Sequence, residues 1–309
     1  MSDLPLKKSE VAAELSDLLS AGSTICQDEP MAHRTTLRVG GPADVFVEPA
    51  DEKDLAETIR FCGKARIPHF ILGRGSNLLV RDGGIRGVVI CLAKDFFSRI
   101  QVDGVKITCG VGARLKNVAN EARRHGVGGF EFLEGIPGGV GGALRMNAGA
   151  MGGAVFDLVL TVRFMDETGA VFEREKAFLE PHYRSCDFLK SRIALSAVLT
   201  GNVARTDEIA ARMKEFSLKR WEHQPKEPSA GCTFKNPATC PAGKLIDQLG
   251  MKGARVGGAL VSPIHGNFIV NDGGATARDI LNLIEQIRQR ARTEADIQLE
   301  TEVEIVGED

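Results

Sequence analysis

Aromatic residues are scarce in this chain of 309 residues, which has one Trp (Trp221), one Tyr (Tyr183) and 6% aromatics in all. That scarcity excludes a base-stacking platform of the kind used on single-stranded nucleic acid. Excess charge is lacking too. A net charge of −2 leaves no electrostatic footprint for nucleic acid or an anionic membrane surface. No apolar run reaches the roughly eighteen residues that a membrane-crossing helix needs. The stretch 1–19 has no apolar core of signal-peptide length and reads as a short amphipathic helix. Seven cysteines (26, 62, 91, 109, 186, 232 and 240) contain no CxxC pair. An odd, unpaired set argues against a zinc site or disulfide framework and fits reduced thiols in the cytoplasm. The six histidines show no ligand spacing, so no metal is expected; His265 is read with the others as an ordinary core or surface residue. No GK[ST] is present, which excludes a P-loop.

Glycine is what the chain has in excess, with 35 residues. The stretch Gly135 to Gly153, GIPGGVGGALRMNAGAMGG, has eight glycines in nineteen positions. Each interior glycine costs a helix or strand about 0.5–1 kcal/mol relative to alanine. Something here therefore requires bare backbone, and the usual reason is a ligand that must touch main-chain N–H groups. A second cluster, Gly73-Arg74-Gly75-Ser76-Asn77, follows a short apolar strand at His69–Leu72.

Periodicity predicts helices over Ala50–Arg66, Leu115–His125, 205–223, Gly243–Leu249 and 276–293. The last has Thr276 and Asp279 as a near capping box and Ile280, Leu283, Ile284 and Ile287 as its buried stripe. Strands are expected at Val88–Leu92, Val105–Val111, Val155–Met165, Ala170–Arg174 and Ile297–Val306, with Asp166-Glu167-Thr168-Gly169 as a hairpin turn. The elements mix without a regular βαβ rhythm, which favours α+β over a doubly wound sheet. A length of 309 residues suggests about two domains.

Neither glycine cluster completes GxGxxG: Gly139-Val140-Gly141-Gly142-Ala143-Leu144 lacks the third glycine, and so does Gly73-Arg74-Gly75-Ser76-Asn77-Leu78. Either one alone reads equally as a set of tight turns. Together they point to a pyrophosphate cradle, with Asn77 and Asn147 as amide donors.

The motifs TLRVGGPA (36–43), LGRGSNLLV (72–80), GIPGGVGGA (135–143) with NAGA (147–150), YRS (183–185), GCTFKNP (231–237), VSPIHGNF (261–268) and LETEV (299–303) stand in order along the chain. In this set the chain resembles the UDP-N-acetylenolpyruvoylglucosamine reductases, the MurB family of peptidoglycan synthesis. The resemblance covers roughly residues 30–307. It implies an FAD-binding region of the vanillyl-alcohol-oxidase (PCMH) type followed by a C-terminal α+β substrate domain. The corresponding division is an N-terminal helical segment at 1–30, an FAD-binding region at 31–203 with two lobes parting near 93–103, and a substrate domain at 204–309. With Tyr183 as the only tyrosine, the chain resembles the shorter type of the family, which lacks a tyrosine-bearing insertion.

The resemblance implies FAD held by Gly73, Arg74, Gly75, Ser76 and Asn77 in the first loop and by Gly138, Gly139, Gly142, Asn147 and Gly149 in the second. No histidine lies in either loop, so the FAD is expected to be non-covalent. The implied reaction is reduction of UDP-N-acetylglucosamine enolpyruvate to UDP-N-acetylmuramate with NADPH as co-substrate. Arg184 matches the family's catalytic arginine. A guanidinium is always charged and grips a carboxylate with two N–H bonds, which suits a developing enediolate. Glu302 matches the second glutamate of LExEV. In a strand, Glu300, Glu302 and Glu304 share one face and would repel, so a catalytic role needs Glu302 shielded in the cleft. Cys232 stands where many relatives have Ser as proton donor. A thiol with a pKa near 8.5 is the stronger acid; a buried structural cysteine is the bland alternative. Lys235 and Asn236 are candidates for the diphosphate and sugar of the substrate. The expected partner is a small UDP-sugar, and the protein is expected to be a cytoplasmic monomer with no nucleic-acid partner and no membrane insertion. The alternatives are a related PCMH-type flavoprotein oxidase and a degenerate nucleotide-sugar binding module.

Overall fold

The computed structural model describes residues 7–309; the first six residues of the expected N-terminal helix lie outside that range. Eight α-helices are present among the described residues: α1 (Lys8–Leu18), α2 (Glu52–Ala65), α3 (Leu115–Arg124), α4 (Val140–Arg145), α5 (Val155–Leu158), α6 (Thr206–His223), α7 (Ala242–Gln248) and α8 (Ala277–Ala295). None is long and apolar enough to cross a membrane. The described chain folds as two compact units that interleave in sequence. The first comprises 7–27, 45–74 and 87–219, and the second 28–44, 75–86 and 220–309. These boundaries differ from a linear division at 30/31 and 203/204.

The first unit holds an antiparallel five-stranded sheet in the order Val171–Glu175, Val159–Met165, Ile193–Thr200, Lys106–Gly110, Ile100–Asp103. The hairpin at its edge forms where Asp166 directs it: the Oδ1 atom accepts the Thr168 N–H at 2.8 Å and the Ala170 N–H at 3.0 Å. Expected strand at Val155–Leu158 is instead α5, because the Asp157 carboxylate takes the Ala154 N–H at 2.8 Å and closes a helical turn. Alternate residues of the central strand, Ile193, Leu195, Ala197 and Leu199, are buried. In the same unit His69–Leu72 pairs parallel with Val88–Cys91. The strand ends on buried Leu72 and releases the chain into Gly73 and Arg74. Asp51 caps α2 by accepting the N–H groups of Lys53 and Asp54 at 2.9 and 3.0 Å, and Leu55, Ile59 and Cys62 form its buried stripe as the spacing predicts.

The second unit packs α8 on a three-stranded antiparallel sheet, Arg255–Val256, Ala259–Val261 and Ile269–Asn271. Ile280, Leu283, Ile284 and Ile287 are all buried, each side chain contributing about 1.5–3 kcal/mol relative to exposure. The capping box is present: the Thr276 hydroxyl accepts the Asp279 N–H, and the Asp279 carboxylate accepts the Thr276 N–H. The expected strand over Ile297–Val306 is a strand only at Glu304–Val306, which pairs parallel with Leu78–Val80. The residues before it pair elsewhere. Glu300 accepts from the Lys235 N–H, Thr301 bridges Phe234, and the Glu302 N–H donates to the Thr233 carbonyl. This change of partner breaks the strand in two. Leu299 and Val303 are nonetheless buried, as the alternation predicts.

Candidate active site

In the first unit, three turns meet around Arg74. Its Nη2 donates to the Gly112 carbonyl at 2.9 Å, and a Cβ at Gly139 would lie 3.6 Å from its Cγ. The glycine run is fastened to the 111–115 turn by main-chain bonds: Gly141 N–H to Val111 carbonyl at 2.9 Å, Val140 N–H to Ala113 carbonyl at 3.0 Å, and Leu115 N–H to Gly138 carbonyl at 3.2 Å. Gly138 has φ +131°, a conformation that favours glycine. The Arg74 Nε is buried and has no hydrogen-bond partner among the described residues. Burial, and then the neighbouring Arg114 guanidinium, hold Arg74 below the ordinary arginine pKa. Two adjacent cations and a buried unpaired donor suit an anion. A Cβ added at Gly73 or Gly142 would meet nothing within 4 Å, so both face open space. These features fit a bound pyrophosphate, and the arrangement goes beyond the sequence reading in adding Arg114.

The second half of the glycine run leads to Arg184. Gly149 pairs with Ala154 in a small hairpin; a Cβ there would meet the Gly153 oxygen at 2.7 Å and the Arg184 Nη1 at 3.3 Å. The Arg184 Nη2 donates to the Gly149 carbonyl at 3.4 Å, and its guanidinium lies 4.9 Å from the Tyr183 ring centre. Arg184 sits in a tight turn closed by the His182 N–H on the Ser185 carbonyl at 2.8 Å, with φ +57°. That left-handed backbone costs a non-glycine residue about 1–2 kcal/mol. Asn147 is committed to the main chain. Its Nδ2 donates to the His182 carbonyl at 3.0 Å, and its Oδ1 accepts the Phe156 N–H at 3.3 Å. It ties the glycine run to the turn bearing Arg184, so the sequence expectation of an amide aimed at a ligand meets an amide that organises the loop.

The second unit gathers the other motifs. Gly75 has φ +60°, and a Cβ would collide with the Arg34 carbonyl oxygen at 2.2 Å. Ser76 follows, then Asn77, whose Nδ2 donates to the Glu302 carbonyl at 2.9 Å while its own carbonyl accepts the Glu304 N–H at 3.0 Å. Cys232 is half-buried and follows Gly231, which has φ +77°. Beyond it the chain dives into the core, with Thr233 and Phe234 buried. The Glu302 N–H donates to the Thr233 carbonyl at 2.8 Å. Asn77 and Thr233, the residue after Cys232, are thus both bonded to Glu302 within one unit. Lys235 pairs with Glu300 at 3.1 Å, and the Asn236 Oδ1 accepts the Ala242 N–H at the start of α7.

Asn267 was not singled out in the sequence. It is buried, its Oδ1 accepts the Phe234 N–H at 2.9 Å, and its Nδ2 donates to the Phe234 carbonyl at 2.8 Å. Its main-chain carbonyl accepts the Thr233 N–H at 2.8 Å. The only signal was its place inside the VSPIHGNF motif.

Two family models match the chain: an FAD binding domain over residues 43–174 and the C-terminal domain of UDP-N-acetylenolpyruvoylglucosamine reductase over residues 224–306. A UDP-N-acetylenolpyruvoylglucosamine reductase of Clostridium botulinum is 44% identical over 284 residues, covering 91% of this chain and 92% of that protein. A solved structure of the MurB reductase of Thermus caldophilus superposes with a TM-score of 0.80 at 37% identity, covering 92% of this chain and 98% of that one. An alkyldihydroxyacetonephosphate synthase superposes with a TM-score of 0.50 at 16% identity, over 66% of this chain and 42% of that one, a likeness of fold alone.

Proposed function

Taking as premise that this chain belongs to the UDP-N-acetylenolpyruvoylglucosamine reductase family, we propose that it reduces UDP-N-acetylglucosamine enolpyruvate to UDP-N-acetylmuramate through Arg184, Cys232 and Glu302. It is an FAD enzyme of peptidoglycan precursor synthesis. When bound, FAD supplies a hydride, taken from NADPH, to the terminal vinyl carbon of the substrate.

In this reading the cofactor is held by Gly73, Arg74, Gly75, Ser76 and Asn77 of the first glycine loop and by Gly138, Gly139, Gly142 and Gly149 of the second, with Asn147 ordering the second loop. Arg74, with Arg114 beside it, faces the pyrophosphate, and no covalent tether is required. As hydride arrives, negative charge builds on the adjacent carbon and spreads into the carboxylate. Arg184 stabilises that charge through two N–H bonds. The Cys232 thiol then gives its proton to the carbanionic carbon, and Glu302 stands with it as the acidic partner that stabilises the enediol form. Lys235 and Asn236 take the diphosphate and sugar. Lys235 must exchange Glu300 for phosphate, a small cost because an exposed ion pair contributes about 0–1 kcal/mol.

The observation that carries this reading is the bond between Glu302 and the residue next to Cys232. It brings together the two segments, far apart in sequence, that carry the candidate carboxylate and the candidate thiol. The decisive experiment is the visible spectrum of the purified protein under anaerobic conditions. The flavin bands should bleach with NADPH and return on addition of the enolpyruvyl substrate. Recovery with air but not with that substrate would identify an oxidase instead, and a colourless protein that takes up no FAD would leave only a binding module.

A further inference from the structure

The loop that carries Cys232 is held by one buried amide. Asn267 is 2% exposed. Its side chain treats Phe234 as a β-strand neighbour would, accepting the N–H and donating to the carbonyl. Its own main chain accepts the Thr233 N–H. Three bonds from one residue therefore fix two consecutive residues immediately after Cys232. The Thr233 carbonyl, on the other side of the same peptide chain, accepts the Glu302 N–H. Asn267 is in turn oriented by His265, whose Nδ1 accepts the Asn267 N–H at 3.1 Å. The chain of contacts runs His265, Asn267, Thr233, Glu302, all within the second unit.

A buried asparagine costs more than an apolar residue unless its amide is satisfied on both sides. Here both ends are satisfied, and by the same residue. An amide placed so that it bonds one partner twice acts as a locator, because neither bond survives a slip of the loop by one residue. Reacting groups must be held within fractions of an ångström, and a displacement of about 1 Å can cost 10²-fold in rate.

We infer that Asn267 is the positioning residue for the protonation step: it sets the register of the 231–237 loop against Glu302, and so the placement of the Cys232 thiol. This rests on the reading of Cys232 as proton donor. Asn267 itself touches neither substrate nor cofactor in this inference.

The test compares Asn267→Asp, Asn267→Ala, Cys232→Ala and the double variant Asn267→Ala/Cys232→Ala in stopped flow with FAD-loaded protein. Asn267→Asp is isosteric; it keeps the acceptor for the Phe234 N–H and loses the donor, so it serves if the alanine variant does not fold. Flavin reduction by NADPH should keep its rate. Flavin reoxidation by saturating enolpyruvyl substrate should slow about 10- to 100-fold, with the substrate KM within about threefold of the parent. The solvent deuterium isotope effect on reoxidation should rise, which a general loosening of structure would not produce. On the Cys232→Ala background the added Asn267→Ala should cost little, because the two substitutions disable one step. Reoxidation at the parent rate in folded Asn267 variants would overturn the inference, as would a raised KM at constant kcat or a full additional loss on the Cys232→Ala background. If Cys232→Ala alone reoxidises at the parent rate, the donor assignment fails, and the inference with it; that outcome is read from the single variant and cannot be confused with the others.

Discussion

The Glu302 N–H donates to the Thr233 carbonyl at 2.8 Å, which ties the segment bearing the candidate acid to the loop bearing the candidate proton donor. Cys232→Ser should keep substantial turnover, since a hydroxyl also donates a proton. Cys232→Ala should lose about 10²–10⁴-fold, the usual scale of general acid catalysis, in flavin reoxidation by substrate and not in flavin reduction by NADPH. Glu302→Gln should slow the same half-reaction. Rapid-mixing absorbance of the flavin separates the two steps.

Gly142 lies inside α4, and a Cβ there would meet nothing within 4 Å. Gly142→Ala should therefore stabilise the FAD-free protein by up to about 1 kcal/mol through helix propensity, while weakening FAD binding by filling the space the cofactor needs. Thermal melts of the stripped protein and reconstitution followed by flavin fluorescence measure the two effects. A stabilised variant with unchanged FAD affinity would show that this glycine does not face the cofactor.

Asp82 accepts the N–H groups of Ala277 and Arg278 at 2.8 and 2.9 Å, adding a second cap to α8 beside Thr276. Its negative charge also complements the helix N-terminus. Thr276→Ala and Asp82→Ala should each destabilise by about 1 kcal/mol. Urea midpoints report the loss, and equal stability of both variants with the parent would mean that α8 is anchored by its apolar stripe alone.

Burial, and then the charge of Lys252, hold the His265 pKa below its ordinary value, with His223 adding a smaller push in the same direction. The unfolded chain thus takes up a proton near pH 6.5 before the folded one does. Stability is full above that value and falls as pH drops below it, until the folded-state pKa is passed. A protonated His265 also cannot accept the Asn267 N–H through Nδ1. Denaturant melts from pH 8 to 5 should show the decline, and His265→Gln should flatten it.

Much of the architecture was legible because local chemistry decides it. Asp51, Thr276 and Asp279 announce helix starts, and Asp166 announces a hairpin, each through bonds to residues within four positions. The strand at Ile297–Val306 was only partly right, because alternation reports which side chains are buried and not which partner each residue pairs with. Leu299 and Val303 point inward although the segment changes partners between them. The glycine loops announced bare backbone, yet the sequence could not tell a glycine facing open space, such as Gly142, from one pressed on a carbonyl, such as Gly75. Asn267 was invisible for a different reason. A buried amide gains its meaning from Phe234, thirty-three residues away, and its place inside VSPIHGNF does not say what it bonds. The interleaved units likewise follow from packing between segments distant in sequence.

The parallel pairing of Leu78–Val80 with Glu304–Val306 has a consequence for how the chain is made. Asn77 and Glu302, bonded beside that pair, are 225 positions apart. Closing so long a loop adds little to the thermodynamic cost, since each doubling of length costs about 0.6 kcal/mol, but it delays the event. The five-stranded sheet is complete once residue 200 has been synthesised. The apolar trio Leu78-Leu79-Val80, fully covered in the finished protein, must wait for a strand that leaves the ribosome on the order of ten seconds or more later, at roughly 5–20 residues per second. During that interval it is a sticky, unpaired edge on a nascent chain, and the time at which aggregation competes with folding is set by the arrival of Glu304–Val306.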